Sequence, residues 1–328
     1  MTIIDDFKLL AKKTPKKIVL PESTDERLLQ AAQLATQEGI AKIILLGKSE
    51  EVKKKAGELK INLSGVEIVD PLNFKKFDSY VKEYCKMRNK PDAIARNLLS
   101  KPPYFGAMMV KMGDADGVVM GAVYTSAEVI MAAHLFIGLQ EGVESPSSFF
   151  LMDIPNYGQL IFADASVNIQ PTAEQLADTA IASATTAKTL FNWDPKVAML
   201  SFSTKGSATH PDADKVIQAT QIVKKKRPDL KIDGELQGDS ALVPEIAQKK
   251  IKGDLGPVAG RANVLIFPDL DAGNISYKLT QTLAKATCYG PILQGFSRPV
   301  SDLSRGAKVG DIVGTIAMLV VWSQRMKK

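Results

Sequence analysis

Apolar and polar positions in the first half of the chain follow two alternating patterns. Short apolar runs rich in β-branched residues predict strands, and apolar residues recurring every three or four positions between them predict helices. The run at 41–47 is apolar almost throughout, as in a parallel strand covered on both faces. The predicted strands are 16–23, 41–47, 66–70 and 117–123, and the predicted helices are 25–38, 74–88 and 91–99.

The second half of the chain continues this alternation. Two apolar runs at 148–154 and 159–167 are joined by a turn-like Pro-Asn-Tyr-Gly stretch, which predicts a hairpin. Further strands are predicted at 196–203, 231–237 and 263–269, and helices at 172–190, 213–226, 275–286 and 309–325. Strands that alternate with helices predict an α/β fold with mainly parallel sheets.

Length and composition describe an ordinary globular chain. At roughly 150 residues per domain, 328 residues predict about two domains. The only cysteines, Cys85 and Cys288, are far apart, so we expect neither a zinc site nor a disulfide framework, and a cytoplasmic location. No apolar run approaches the length of about 18 residues that spans a membrane, and the first residues lack the apolar core of a signal peptide.

The net charge and the distribution of basic residues indicate what kind of molecule the chain would bind. Forty-two Lys and Arg residues against 36 Asp and Glu residues give a net charge of +6, which suits an anionic small molecule such as a phosphate ester. The basic residues are dispersed and aromatic residues make up only 6% of the chain, so we expect no nucleic-acid partner. We also expect no membrane partner.

Loops that follow predicted strands are where α/β proteins bind ligands, and several here carry polar side chains. Thr125 and Ser126 follow the strand at 117–123, where hydroxyl and N–H groups either hold a phosphate or cap a helix. Ser203, Lys205 and Gly206 follow another strand and offer donors for an anion, although an incidental polar loop is the alternative. This segment lacks the Walker A spacing.

Two further loops carry acidic residues. Asp269, Asp271 and Asn274 lie in a turn-rich loop, where turn and cap chemistry with Asp271 or Asn274 at the helix start is favoured over a metal site. Near the end of the chain, Arg305 offers a planar fork for a phosphate or a polarised carbonyl. Asp311 is either a general base or a first-turn residue of the last helix.

Familiar hydrolase and dehydrogenase patterns are missing from the sequence. It contains no Gly-x-Ser-x-Gly elbow and no His-Glu-x-x-His motif, so a serine hydrolase and a zinc protease are poorly supported. It also contains no Gly-x-Gly-x-x-Gly, which argues against a standard dinucleotide-binding dehydrogenase.

Seven long stretches resemble, in order, the phosphotransacetylases (phosphate acetyltransferases) of the phosphate acetyl/butyryltransferase family. They are 17–32, 113–123, 162–188, 196–208, 227–237, 263–278 and 294–313. The resemblance implies two α/β domains of the isocitrate/isopropylmalate-dehydrogenase type, with the substrates in a cleft between them. The first domain would comprise 1–143 plus 292–328, and the second 144–291, through which a homodimer would form.

The resemblance also implies a reaction: acetyl-CoA and phosphate exchange with acetyl phosphate and CoA in a ternary complex, without a metal or a permanently bound cofactor. The family's Ser-Arg pair falls on Ser304 and Arg305, and its catalytic acid on Asp311. Asp311 would deprotonate the CoA thiol, and Arg305 and Ser304 would bind the phosphate or the developing oxyanion. The alternatives are a phosphate acyltransferase for propionyl-CoA or butyryl-CoA, and a weakly active CoA-binding paralogue.

The sequence departs from the family at two arginines. Met131 stands where an arginine is usual, and the family's CoA-linked arginine falls on Cys85, with Lys86 and Arg88 as nearby candidates to replace it. The predicted substrate-binding residues are Thr125, Ser126, Ser203, Lys205, Gly206, Asn274, Lys86 and Arg88.

Overall fold

The computed structural model describes residues 2–326, which form two compact units. Unit 1 contains the described residues up to 141 together with those from 296 onward, and unit 2 contains residues 142–295.

Unit 1 is built on a parallel five-stranded sheet. β1 (Lys16–Leu20) lies between β2 (Ala41–Leu46) and β4 (Gly117–Met120), with β3 (Glu67–Val69) beyond β2 and β11 (Val300–Asp302) beyond β4. All four pairings are parallel, so the carboxyl ends of the five strands meet at one edge of this sheet. The loops after β1, β4 and β11 are therefore neighbours.

Helices cover the sheet of unit 1. The last helix packs against the first two helices and against β1 and β4, and its residues from Ile312 to Val321 are all buried. The helices are α1 (Ile3–Lys13), α2 (Glu26–Gln37), α3 (Ser49–Glu58), α4 (Phe77–Arg88), α5 (Asp92–Leu99), α6 (Pro102–Lys111), α7 (Ser126–Ala132) and α13 (Val309–Arg325). A 3₁₀ turn at Pro71–Asn73 and a π-turn at Ala133–Ile137 complete the unit.

Unit 2 contains a mixed sheet. Its strands are β5 (Ser147–Ile154), β6 (Gly158–Ala163), β7 (Lys196–Leu200), β8 (Lys231–Leu236), β9 (Val264–Ile266) and β10 (Thr287–Gln294), in the order β10-β5-β6-β9-β7-β8. The β10–β5 and β5–β6 pairings are antiparallel and the other three are parallel. Its helices are α8 (Ala173–Phe191), α9 (Pro211–Lys226), α10 (Gly238–Leu242), α11 (Pro244–Lys250) and α12 (Leu270–Leu283).

The fold class predicted from the sequence, α/β with mainly parallel sheets, is confirmed. So is the hairpin, which β5 and β6 form. The start of α12 was predicted at Asp271 or Asn274, and this is wrong: the helix begins at Leu270, and the Asp269 side chain caps it by accepting a hydrogen bond of 2.8 Å from the N–H of Ala272.

Several elements were not predicted, among them α1, α6 and β11. α6 is buried from Phe105 to Val110, so it shows no polar face and no helical periodicity. β11 is three residues long and buries the polar pair Ser301 and Asp302, so it forms no apolar run. Among residues 2–326, each helix is either too short or too polar to cross a bilayer.

Candidate active site

The loop after β11 presents a free guanidinium. Arg305 is exposed, and within residues 2–326 its guanidinium makes no hydrogen bond or ion pair. The loop turns tightly at Ser304, whose carbonyl accepts a hydrogen bond of 2.9 Å from the N–H of Ala307 and whose hydroxyl accepts one of 3.3 Å from the N–H of Gly306. The Arg305 side chain is thus available to an anion.

Asp311 takes the structural one of the two roles that the sequence left open. It lies in the first turn of α13, where its Oδ2 accepts a hydrogen bond of 3.0 Å from the N–H of Lys308. Burial raises the pKa of the Asp311 carboxyl, outweighing the opposing effects of that hydrogen bond and of the Lys308 charge. A raised pKa makes the carboxylate a stronger base than an exposed aspartate.

The loop after β4 lies against the loop after β11, because the N–H of Leu303 donates to the carbonyl of Met120 over 2.6 Å. Gly121 has a φ of +105°, and a Cβ at this position would lie 2.5 Å from Oδ1 of Asp302. Only glycine therefore permits this close approach.

The N–H groups of the loop after β4 bind an internal carboxylate. Glu22, which is 6% exposed, accepts hydrogen bonds of 2.7–3.2 Å from the backbone N–H groups of residues 121–124. Thr125 caps α7 in a capping box with Glu128, and exposed Ser126 is the first residue of that helix. Of the two roles that the sequence left open for Thr125, a phosphate contact or a helix cap, the structure shows the cap.

A second internal carboxylate organises the loop after β7 in unit 2. Buried Glu235 accepts hydrogen bonds from the Ser203 hydroxyl over 2.9 Å and from the Gly206 N–H over 2.7 Å. Lys205 forms an ion pair with Asp233. The donors predicted here for a substrate anion are therefore satisfied by the protein's own carboxylates.

A third buried carboxylate, Asp164, binds the loop after β6. It accepts hydrogen bonds from the backbone N–H groups of residues 166–168 and from the side chains of Ser148 and Asn168. Asn274, on α12, donates to the carbonyl of Ala165 over 3.2 Å. Asn274 thus lies against this loop, in unit 2.

The two basic residues of α4 that were predicted to bind substrate, Lys86 and Arg88, differ in their contacts within the protein. Arg88 donates to the carbonyl of Leu135 over 2.8 Å and also to the carbonyl of His134, so its guanidinium is bound to the π-turn. Lys86 is exposed and has no ion pair or hydrogen bond among the described residues. Met131 is 54% exposed, and its sulfur lies 3.9 Å from the hydroxyl of Tyr104.

The structure thus brings the loops of Thr125, Ser126, Ser304 and Arg305 together in unit 1, and places Ser203, Lys205, Gly206 and Asn274 in unit 2. Glu22 and Arg27, in the segment after β1, were not predicted as site residues. Glu22 contacts the loop after β4, and Arg27 contacts both loops of unit 1. A signal existed, since four acidic or basic residues lie within 22–27, directly after a buried strand.

Comparison with known proteins adds a family and several relatives. Residues 2–320 match the model described as phosphate acetyl/butaryl transferase. The phosphate acetyltransferase of Thermoanaerobacterium thermosaccharolyticum is 50% identical over 99% of this chain and 100% of its own, and that of Acetivibrio thermocellus is 47% identical over 100% of both. The structure of a phosphotransacetylase from Streptococcus pyogenes matches with a TM-score of 0.92 and 40% identity, over 99% of this chain and 100% of that one.

Proposed function

The chain belongs to the phosphate acetyl/butaryl transferase family, and we propose that it transfers an acetyl group reversibly between CoA and inorganic phosphate. Acetyl-CoA and phosphate would give acetyl phosphate and CoA, and the reverse. The observation that carries this proposal is the loop after β11, which holds a free guanidinium at Arg305 and leads to a carboxyl of raised pKa at Asp311.

In the direction of acetyl-CoA synthesis, the Asp311 carboxylate takes the proton from the CoA thiol. An ordinary thiol with a pKa of about 8.5 is only about 3% thiolate at pH 7, so a base raises the supply of nucleophile more than tenfold. The sulfur then attacks the acetyl carbonyl of acetyl phosphate, and the bond from the acetyl carbon to the phosphate oxygen breaks. Both electrons of that bond leave with the phosphate.

Arg305 and Ser304 stabilise the charge that this step moves. The guanidinium binds the phosphate oxygens with two parallel N–H groups, and the Ser304 hydroxyl donates to the same charge without forming an ester. In the opposite direction phosphate attacks acetyl-CoA and Asp311 returns the proton to the leaving thiolate. Because both substrates are present together, the step needs no acetyl-enzyme.

Substrate contacts elsewhere fall into two groups. We assign Ser126 and Lys86 to direct contact with CoA or phosphate, and the exposed Lys86 ammonium has no internal partner within residues 2–326. The other predicted substrate-binding residues are bound within the protein, so we assign them to shaping the loops that the substrates meet: Thr125, Ser203, Lys205, Gly206, Asn274 and Arg88.

A longer acyl chain is the second candidate. Met131 exposes 54% of its surface at the position where the family usually carries an arginine, which gives an apolar contact in place of a charge. The relatives at 45–50% identity are named phosphate acetyltransferases, which favours the acetyl group. A series of acyl phosphates separates the two.

We also propose that the protein is a homodimer formed through unit 2. Three apolar side chains of α12 recur every four residues and are exposed: Ile275, Leu279 and Leu283, at 55%, 52% and 75%. Such a stripe along one helix face is typical of an interface. Cys85 and Cys288 are not joined in a disulfide, which fits a reducing cytoplasm, where CoA would be met as a substrate.

The proposed activity is tested by mixing the purified protein with acetyl phosphate and CoA, without added metal, and following thioester absorbance. Butyryl phosphate is run in parallel. Turnover with acetyl phosphate supports the proposal, and turnover with butyryl phosphate alone transfers the assignment to the longer chain. Silence with both contradicts the proposed function.

A further inference from the structure

Every N–H group of the Arg27 guanidinium is bound within unit 1. Nε donates to Oδ1 of Asp25 over 3.1 Å, and one terminal nitrogen donates to Oδ2 of the same carboxylate over 2.8 Å and to the carbonyl of Ala122 over 3.1 Å. The other terminal nitrogen donates to the carbonyls of Arg305 over 2.6 Å and Ala307 over 3.3 Å. A guanidinium has five N–H donors, and these five bonds use all of them.

Asp25 fixes the direction of this guanidinium. Its carboxylate caps α2 by accepting from the N–H groups of Arg27 and Leu28, and it binds the guanidinium with both oxygens. A bidentate pair of this kind sets the plane of the arginine fork. The start of α2 therefore aims the remaining donors of Arg27 at the two loops.

The carbonyls that Arg27 binds belong to the two loops of unit 1 described above. Ala122 lies in the loop after β4, where its own N–H donates to Glu22 over 3.1 Å, so both sides of this residue's backbone are held by the segment 22–27. Arg305 and Ala307 lie in the loop after β11. One side chain thus joins the loop of Thr125 to the loop of Ser304 and Arg305.

We propose that Arg27 is a positioning residue for the proposed transfer, which sets the backbone from which Arg305 reaches the phosphate; this inference rests on the proposed function. The Arg305 side chain makes no hydrogen bond or ion pair within residues 2–326, so its position depends on its backbone. Arg27 donates to the carbonyl of Arg305 over 2.6 Å. This bond is shorter than the bond of 3.3 Å that the Ser304 hydroxyl accepts within the same loop. With no donor left over, Arg27 does not replace the family arginine that is absent at Met131.

Arg27→Lys is the principal variant. It keeps the positive charge, but a single ammonium has three donors on one nitrogen and cannot span Asp25 and three carbonyls. A displacement of about 1 Å at a reacting group costs up to about 100-fold in rate, so we expect kcat to fall by about 10-fold to 100-fold. The KM for acetyl phosphate rises, whereas the KM for CoA stays within about twofold, because the displaced group binds the phosphate.

Asp25→Asn provides a milder test of the same contact. Asparagine is as good a helix cap as aspartate, so α2 is preserved while the charged, bidentate grip on Arg27 is lost. We expect an effect in the same direction but smaller than that of Arg27→Lys. Arg96→Lys is the matched control: Arg96 is an exposed arginine of unit 1 that pairs with Asp92 and Asp78, and we expect wild-type kinetics.

Hydrogen–deuterium exchange of the two loops tests the contact without using activity. In Arg27→Lys we expect faster exchange over 120–126 and 303–308 than in the wild type and in Arg96→Lys, with the exchange of β2 unchanged. Unchanged exchange in both loops overturns the inference, as does a kcat within about twofold of the wild type, or an equal rise in both KM values. If the wild type turns over neither acyl phosphate, the proposed function fails, and exchange alone decides whether Arg27 holds the loops.

Discussion

The carboxylate of Glu22 accepts a hydrogen bond of 2.7 Å from the backbone N–H of Tyr124, the last of four successive residues whose N–H groups converge on it. Consecutive N–H groups that converge in this way form a concave anion site. Asp164 and Glu235 bind the N–H groups of two further loops in unit 2. The protein thus places its own anions in sites whose backbone geometry also suits a phosphate.

Glu22→Gln tests the importance of this carboxylate. The amide loses the negative charge and turns an NH₂ group toward backbone donors, so the free energy of unfolding should fall by about 2–4 kcal/mol. Urea titration measures the change. Glu58→Gln, on the exposed end of α3, is the control and should stay within about 0.5 kcal/mol of the wild type. An equal effect of both substitutions would contradict a special role for Glu22.

Arg305→Ala removes the free guanidinium of the loop after β11. We expect kcat for acetyl phosphate and CoA to fall roughly 100-fold to 1,000-fold, as for loss of a donor to a developing charge. Steady-state kinetics measure it, with Arg298→Ala, another exposed arginine of unit 1, as the control. Wild-type kinetics in Arg305→Ala would remove this residue from the mechanism.

Asp311→Asn should remove most turnover, by about 100-fold to 10,000-fold, because the proton acceptor is lost. The pH dependence of kcat/KM gives a sharper test. In the wild type the rate falls as the pH drops through the pKa of Asp311, and because burial raises that pKa, the fall begins at a higher pH than for an ordinary aspartate. The residual activity of Asp311→Asn should lack this acid limb, and retention of it would assign the limb to another group.

Asp311→Asn should lower turnover but raise the free energy of unfolding near pH 7. Because the folded-state pKa of Asp311 is raised above its unfolded value, its contribution to stability is fully present below the unfolded pKa and is lost as the pH rises through the folded pKa. Asparagine does not ionise. We therefore expect Asp311→Asn to be more stable than the wild type near pH 7, with the difference disappearing under acid conditions, as measured by urea titration at several pH values.

Leu279→Glu tests the proposed dimer. A carboxylate in the middle of the apolar stripe of α12 places like charges on the contact surfaces of both protomers. Sedimentation should therefore show a monomer in place of the dimer. Leu72→Glu changes a leucine of unit 1 that is 62% exposed, and should leave the mass unaltered. A dimer that survives Leu279→Glu would exclude this face of α12 from the interface.

Periodicity predicted the elements whose apolar residues form one clear pattern, such as β2 and α8. It failed for α6, which is buried on nearly every side, and for β11, whose Ser301 and Asp302 are buried polar residues. In both cases tertiary contacts determine the element, and a local pattern does not contain them.

In the candidate site, too, the local sequence predicted some residues, whereas others take part only through tertiary contacts. Arg305 and Asp311 were predicted from residue type and from the resemblance, because the chemistry proposed for them depends on their own side chains. Arg27 was not, because its acceptors include carbonyls at residues 122, 305 and 307, two of which lie nearly 280 positions away in the chain. Any residue type supplies a carbonyl, so the sequence carries no trace of these partners.

Glu22, Asp164 and Glu235 have a consequence for binding thermodynamics. A loop that must become ordered around an incoming phosphate subtracts its lost conformational entropy from the affinity. Here the three loops are already ordered around carboxylates that never dissociate. Phosphate binding beside Arg305 should therefore leave the hydrogen exchange of the neighbouring loop after β4 nearly unchanged and show only a small change in heat capacity, the calorimetric signature of a preformed site.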